Sequence, residues 1–333
     1  MAQQEVRTHA DRLEIGHLSV TFHRTLRIPD DGKNYPLPPS LGAFPIRKVS
    51  DYADRVPDDW REHGGVFIPM YQREALWMSF HSVTGKYGAV KVGIGKIDAL
   101  TGKKWSEKLH ARRQDYMVVP GQPWLDGINA GKEFIKQFVA MPLGMGYTVE
   151  GQLTGKEDVG GIQFKVFPAK PGREPEPPVF LHHDQLAPAS AKHEYSMPAA
   201  QSAAPAMGLG AGGKMTQSIY PDPHGIDIWD QERSGRCFVH IANSMVWRDI
   251  TGEEPPATPV SAELYTQYGF PWFELYDEDK GDIGASGKLG GVKTVKEMDK
   301  EKGFGTQQDD STVDIDPNQI KNADPTKVLD GKW

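Results

Sequence analysis

The chain has 333 residues, 38% of them hydrophobic and 10% aromatic, which is material for one large buried core or two smaller ones. Its formal charge of −7 excludes wholesale attraction to phosphate backbones or anionic lipid, and its single cysteine, Cys237, excludes an intramolecular disulfide and a thiolate metal cluster. The 36 Gly and 26 Pro are spread along the chain, which favours many turns between short strands and argues against long helices.

From Leu13 to Ile28 the sequence alternates Leu18, Val20 and Phe22 with His17, Ser19, Thr21 and His23, the period of a half-buried strand. A turn follows at Pro29–Gly32, and the four prolines of YPLPPSLGAFP (residues 35–45) rule out helix and predict an ordered extended loop. Ser50 to Glu62 suits a short helix broken at Pro57. Gly64 to Val83 and then Tyr87 to Trp105 read as strands and hairpins, with a Thr101–Gly102 turn. In residues 114–170 two more strand pairs are expected, one a hairpin of YTVEGQLTG with GIQFKVF, turning at Lys156–Gly161.

Between Pro168 and Met207 prolines and alanines replace apolar periodicity, so a linker or long excursion is expected there. Beyond it, SIYPDPHGIDIWD and GRCFVHIANSMVWRDITG read as turn-bounded strands, the second fully buried. Ser261–Gly269 has a serine N-cap and a glycine stop that fit a short helix, and PWFELYDED reads as the last strand. The domain expectation is a β-rich N-terminal lobe over 1–167, a Pro/Ala/Gly-rich connection over 168–215, a β-rich C-terminal lobe over 216–295 that can share the first lobe's core, and a polar disordered tail over 296–333. No fixed internal repeat is visible.

The stretch GLGAGGKMT (Gly208–Thr216) matches the P-loop formula at Gly208, Gly213 and Lys214, but Met215 stands where a hydroxyl must hold Mg²⁺. Proline-rich sequence follows where a helix should open, so the expected role is a glycine-rich tether entering a strand with close backbone contact. His182, His183 and Asp184 are the densest ligand-type run and the weak metal candidates, although adjacent residues rarely chelate one ion together. Asp222, His224, Asp227 and Asp230 gather around two turns, where Asp and Pro serve turn chemistry and also suit a polar binding site. DEDKGD (277–282) fails as a calcium loop, since Lys288 stands where a bidentate Glu belongs. Cys237 and His240 are three apart in an apolar strand and point to opposite faces, so they form no local dyad and Cys237 is expected in the core. No Gly-x-Ser-x-Gly elbow occurs.

Lys86 to Arg113 carries Lys86, Lys91, Lys96, Lys103, Lys104, Lys108, Arg112 and Arg113 against Asp98 and Glu107. With Trp105 among them, this is a candidate anion or single-strand nucleic-acid surface; the competing reading is a lysine-rich edge that blocks unwanted strand pairing.

YPLPPSLGAFPIRKV, GGVFIPMYQREALWMSF, QPWLDGINAGKEFIKQFVAMPLGMGYTVEGQLTG and GLGAGGKMTQSIYPDPHGIDIWD, within residues 13–295, resemble segments of a family of uncharacterised bacterial and fungal proteins. The resemblance implies a coherent globular body and a structural glycine-rich stretch, and it brings no activity, cofactor or catalytic residue to any position.

The sequence therefore predicts a β-dominated α+β protein with antiparallel, sandwich-like sheets and few short helices. The leading functional expectation is a soluble, cytoplasmic, non-enzymatic binding or assembly protein without a cofactor, whose partner is itself or another protein and not a nucleic acid. MAQQEVRTHADRLEIG lacks the apolar core of a secretory leader, and no stretch reaches the ~18 apolar residues of a membrane span, so no membrane insertion is expected. Contacts would come from Tyr71, Gln72, Trp124, Asp126, Asp222, His224, Asp227 and Trp229. The alternatives are an enzyme or lectin-like protein acting on a polar small molecule or carbohydrate, with Asp126, Asp222, His224 or Asp227 as acid, base or metal ligand, and anion or nucleic-acid binding through the basic hairpin.

Overall fold

The computed structural model describes residues 4–176, 206–274, 280–305 and 307–322. Eighteen strands are present among them: β1 (Val6–Thr8), β2 (Arg12–Ile15), β3 (Leu18–Thr25), β4 (Asn34–Tyr35), β5 (Arg47–Lys48), β6 (Val66–Met70), β7 (Ala75–Ser82), β8 (Gly88–Ile94), β9 (Ile97–Asp98), β10 (Met117–Val119), β11 (Trp124–Leu125), β12 (Gly127–Gly131), β13 (Phe134–Pro142), β14 (Ile162–Pro168), β15 (Ala206–Thr216), β16 (Gly235–Asn243), β17 (Trp272–Glu274) and β18 (Ile320–Asn322). The α-helices are short: α1 (Asp58–His63), α2 (Val149–Thr154), α3 (Ser244–Thr251), α4 (Ala262–Gln267), α5 (Gly287–Gly290) and α6 (Val295–Glu301). None of the described helices is long and apolar enough to cross a membrane.

Sixteen of the strands join one sheet whose main path runs β1-β2-β3-β7-β13-β15-β16-β14-β8-β10. Pairing along it is antiparallel, while β4 lies parallel to β15, β6 to β16, and β17 to β18 in a small second sheet. The protein is thus a β-dominated α+β fold with a large antiparallel sheet. The period-2 pattern of β3 puts Leu18, Val20 and Phe22 into the core, and its full length pairs with β7 from Leu18↔Ser82 to Thr25↔Ala75. The sheet curls until its two halves meet: the Phe164 ring of β14 lies 5.9 Å from Phe22 and 6.4 Å from Phe80, both edge-on.

Several local expectations hold. Pro57 stands at the start of α1 after a 3₁₀ turn at Val49–Tyr52, and the Ser261 hydroxyl accepts from Leu264 N to cap α4. Others are corrected. Residues 149–154 are helical instead of the first strand of a hairpin, because the Thr148 hydroxyl accepts from Gly151 N at 3.0 Å and Gly155 closes the helix at φ 76°. β14 pairs with β8 and β16 instead. SIYPDPHGIDIWD carries a 3₁₀ turn at Ile226–Ile228 rather than a strand.

The two expected lobes share one sheet, since β13 pairs with β15 and β14 with β16. The connection expected over 168–215 ends inside the sheet: Ala206–Thr216 is β15, buried along most of its length; residues 177–205 lie outside the described residues. Its glycines serve close packing, for a Cβ on Gly210 would stand 2.9 Å from the Tyr147 carbonyl oxygen and 3.4 Å from Val295 of α6. The segment over 296–322, expected as part of a disordered tail, continues α6 and docks on the sheet. Three of its carboxylates are paired with arginines of the body: Asp299, Asp309 and Asp310 meet Arg73, and Asp309 and Asp310 also meet Arg27.

Phe164 joins the two halves of the curled sheet, so Phe164→Ala is expected to cost about 3–5 kcal/mol. Urea unfolding followed by tryptophan fluorescence checks this, and a loss below ~1 kcal/mol would mean that the halves hold together without it.

Candidate functional site

Over β8 and β13 the sheet is covered on both sides, and the polar residues buried there set the chemistry available. In β8, Val90 and Val92 point into the core, so Lys91 points outward with Ala89 and Gly93. The segment 103–116 closes over it. Trp105 lies flat on Gly93, and the fully buried Lys91 ammonium donates to Asp115 Oδ2 at 2.6 Å and to the Lys108 carbonyl oxygen at 2.8 Å, 5.4 Å from the Trp105 ring centre. Asp115 also accepts from His110 N at 2.9 Å and pairs with His110 Nδ1 at 2.7 Å.

Beside this pair, the loop 220–232 packs on the same face. Asp222 is its hub: Oδ2 accepts from Tyr116 OH at 2.7 Å and from Trp229 Nε1 at 2.8 Å, and Oδ1 accepts from His224 N at 2.8 Å. Gln114 Oε1 accepts from Asp222 N at 2.8 Å, and Gln231 Oε1 from Leu109 N at 3.0 Å, so the two loops are stitched together. The His224 ring stands edge-on to Tyr87 at 4.7 Å and to Trp229 at 6.1 Å. Next to the hub is an open hollow of about 450 Å³ lined by Lys170, Ile226, Asp227, Trp229, Asp230, Gln231 and Glu232.

Three of the nominated residues, Asp222, His224 and Trp229, therefore converge, and the exposed Asp227 borders the same hollow. Both Asp222 oxygens are committed to hydrogen bonds and Trp229 is 1% exposed, so this convergence is a structural tie between loops. The other nominees lie apart. Tyr71 donates its hydroxyl to the Pro256 carbonyl oxygen at 3.0 Å, with Gln72 beside it in the β6–β7 turn. Trp124 packs against a second apolar cluster around Trp272, and Asp126 is closed in with Gln217, whose Nε2 donates to Asp126 Oδ2 at 2.8 Å.

The basic candidates disperse as well. Lys91 is internal, Lys96 pairs with Asp158 at 3.2 Å, and Lys103, Lys104, Arg112 and Arg113 are exposed. His182, His183 and Asp184 lie outside the described residues. Among the described residues no three His, Cys, Asp or Glu side chains are placed to hold a metal. Sequence reading passed over the Asp115–His110 pair and Arg27 and Arg73, which face carboxylates more than two hundred residues away; no spacing rule marks such pairs.

A second concavity has a different character. β1 is the edge of the sheet. Glu5 O accepts from Gly16 N at 2.8 Å and His9 N donates to Arg12 O at 2.8 Å, so by antiparallel alternation the peptide groups of Val6 and Thr8 face away from β2. Across from them runs β5. Val49 N donates to Gly65 O at 3.1 Å, which puts Lys48 out of register for bonding to β6 and turns its peptide edge the other way. Ile46 N reaches Ala10 O at 2.9 Å, and beyond that point the two edges part around a groove of about 400 Å³.

Val6, Thr8, Lys48, Val49, Val66 and Cys237 contribute to its lining, with the main chain of Gly64 and Gly65. The Cys237 thiol is 4% exposed and burial pushes its pKa up to about 12, so it acts as an apolar surface there. His240, on the opposite face of β16, stacks on Trp60 at 4.7 Å and lies 3.0 Å from the Gly64 carbonyl oxygen, so the two residues form no dyad. The Lys48 and Arg61 side chains make the groove's charged lining cationic.

No family model, no curated protein and no solved structure matches the chain.

Asp126 is fully enclosed, and burial pushes its pKa up to about 7. Between about 4 and about 7 the folded chain then holds a proton that the unfolded chain releases, so this group's contribution to stability is full at low pH and is lost as pH rises through that window. His17, His23 and His240, which burial holds near 4, have the opposite slope, so the informative quantity is the difference between variants. Asp126→Asn keeps an acceptor for Gln217 and is expected to gain stability relative to wild type between pH 4 and 7, on the order of a few kcal/mol. Urea unfolding at several pH values reads this directly; a pH-independent difference would show that Asp126 is ionised in the fold.

Proposed function

We propose that this protein is a non-enzymatic binding or assembly module that takes up an extended segment of a partner protein, or of a second copy, as an added strand in the groove between β1 and β5. The observation that carries the reading is the pair of peptide edges, Val6 with Thr8 and Lys48, turned toward one open groove with no strand between them among the described residues. An unpaired edge is a template for another chain, and main-chain bonding gives such docking its affinity while side-chain pockets give it selectivity. Val49, Val66 and Cys237 offer an apolar wall to alternate side chains of the incoming strand. The non-enzymatic part of the reading is supported by Asp222, Asp115 and Glu74, whose oxygens are engaged by neighbouring donors instead of facing an open cavity.

The test uses the full chain and a variant with Val6→Pro and Thr8→Pro. These substitutions remove the two outward N–H donors and leave the bonds to β2 intact. Octapeptides of varied sequence are titrated with fluorescence anisotropy as the readout, alongside light scattering over a concentration series. Peptides or self-assembly dependent on this edge are expected to weaken about tenfold or more in the variant, and bound complexes are expected to slow amide exchange at Val6 and Thr8. Binding indifferent to both prolines, or a chain that stays monomeric and takes up no peptide, overturns the reading.

A further inference from the structure

Arg27, just after β3, and Arg73, in the turn between β6 and β7, come from separate loops and converge on one point. Arg27 is 6% exposed and donates through its two terminal nitrogens to Asp309 and to Asp310 Oδ1, the latter at 2.7 Å. Arg73 donates from Nε to Asp309 Oδ2 at 2.8 Å and from a terminal nitrogen to Asp309 Oδ1 at 2.9 Å and Asp310 Oδ2 at 3.2 Å. Its other terminal nitrogen bonds Asp299 Oδ2 at 2.7 Å, and Tyr147 OH donates to the second Asp299 oxygen at 2.7 Å. Lys296 Nζ lies 3.5 Å from the Asp310 carbonyl oxygen.

Three features go beyond a simple latch. Arg27 Nε is buried and has no hydrogen-bond partner, so the two aspartates leave a donor of the fork unfilled. Arg73 adopts φ 70°, a left-handed backbone that costs a non-glycine residue about 1 kcal/mol or more, yet its guanidinium is aimed at the same point as that of Arg27. The carboxylates themselves arrive on a single 3₁₀ turn at Gln308–Asp310, far along the chain from both arginines.

We propose that Arg27 and Arg73 form an oxyanion site for a phosphate group, and that the Asp309–Asp310 turn fills it as an internal competitor. The two aspartates present two negative charges and four oxygens, the same charge and oxygen count as a phosphate dianion. Two guanidinium forks suit a phosphate better than they suit neighbouring carboxylates that repel each other, and a phosphate oxygen can also reach Arg27 Nε. When the turn withdraws, the carboxylates around Arg27, Arg73 and Lys296 are Asp299, Asp30 and Glu297, but of these only Asp299 is hydrogen-bonded to an arginine, so the Arg27 guanidinium is left without a bonded carboxylate at the point the turn vacates. Ligand and turn exclude each other, so phosphate binding and release of residues 307–313 are coupled.

The first test uses the unmodified full chain with inorganic phosphate, against potassium chloride of equal ionic strength. Amide exchange at Asp310, whose N–H is held by Gln307 O at 3.1 Å, and at Val313 is expected to quicken with phosphate and saturate. Exchange that responds equally to chloride, or to neither salt, overturns the proposal. The second test titrates inorganic phosphate calorimetrically into full-length Asp309→Asn/Asp310→Asn. Affinity about tenfold or more above wild type is expected, and adding Arg73→Gln is expected to abolish it. A variant that melts cooperatively and takes up no phosphate also overturns it; should the variant fail to fold, the exchange result on the native chain decides alone.

Discussion

The Lys91–Asp115 pair shows the constraint under which the rest of this molecule is built. Where the sheet is buried on both faces, as at β8 and β13, a polar residue has no solvated side and meets a partner brought by a neighbouring segment. Lys91 meets Asp115 and the Lys108 carbonyl, Gln137 meets the main chain of Leu26 and Ile28, and Lys136 meets the carbonyls of Gly290 and Val292. Each of these contacts fixes a loop against the sheet. The position of the 103–116 loop, of the segment after β3 and of the chain around α5 follows from where these buried polar residues fall.

The same constraint accounts for the place of Asp222. A carboxylate able to cap main-chain donors and accept from tyrosine and tryptophan is useful to a loop that must lie on a buried sheet, and Asp222 is used in that way. Where no loop crosses, the main chain itself is left open. That condition is met between β1 and β5, because Ile46 meets Ala10 and the strands then diverge, one toward the 3₁₀ turn at Val49–Tyr52 and the other toward Gln4. The groove is a consequence of two edges that stop following each other.

Strand periodicity was legible wherever one face met the core and the other was more polar, as in β3, and capping chemistry was legible at α4. α2 was missed because YTVEGQL has the composition of a strand, and the Thr148 cap with the Gly155 stop outweighs it over a segment of only six residues. β15 was masked for another reason. Its glycines deplete the apolar signal, yet they are the condition for Tyr147 and Val295 to approach its backbone, which a composition scale counts as weakness. Of the nominated binding residues, Asp222, His224 and Trp229 were visible as a cluster because they are close in sequence. The β1–β5 groove was not, since it is made of peptide groups whose exposure depends on register alone.

Residues 296–322 carry this reasoning to its end. Low hydrophobicity and high charge predict that a segment cannot offset its ordering entropy by apolar burial, and among its described residues Val313 is buried while Met298 and Ile315 are partly so. What composition cannot register is that the body of the protein holds two arginines already confined by their own loops. Arg27 and Arg73 leave the body of the protein from separate loops and are aimed at one point, where Asp299 meets Arg73 and Asp309 and Asp310 meet both. The segment docks because its acids reach two arginines that converge from separate loops, and a dianion of similar shape would compete for the same two guanidiniums.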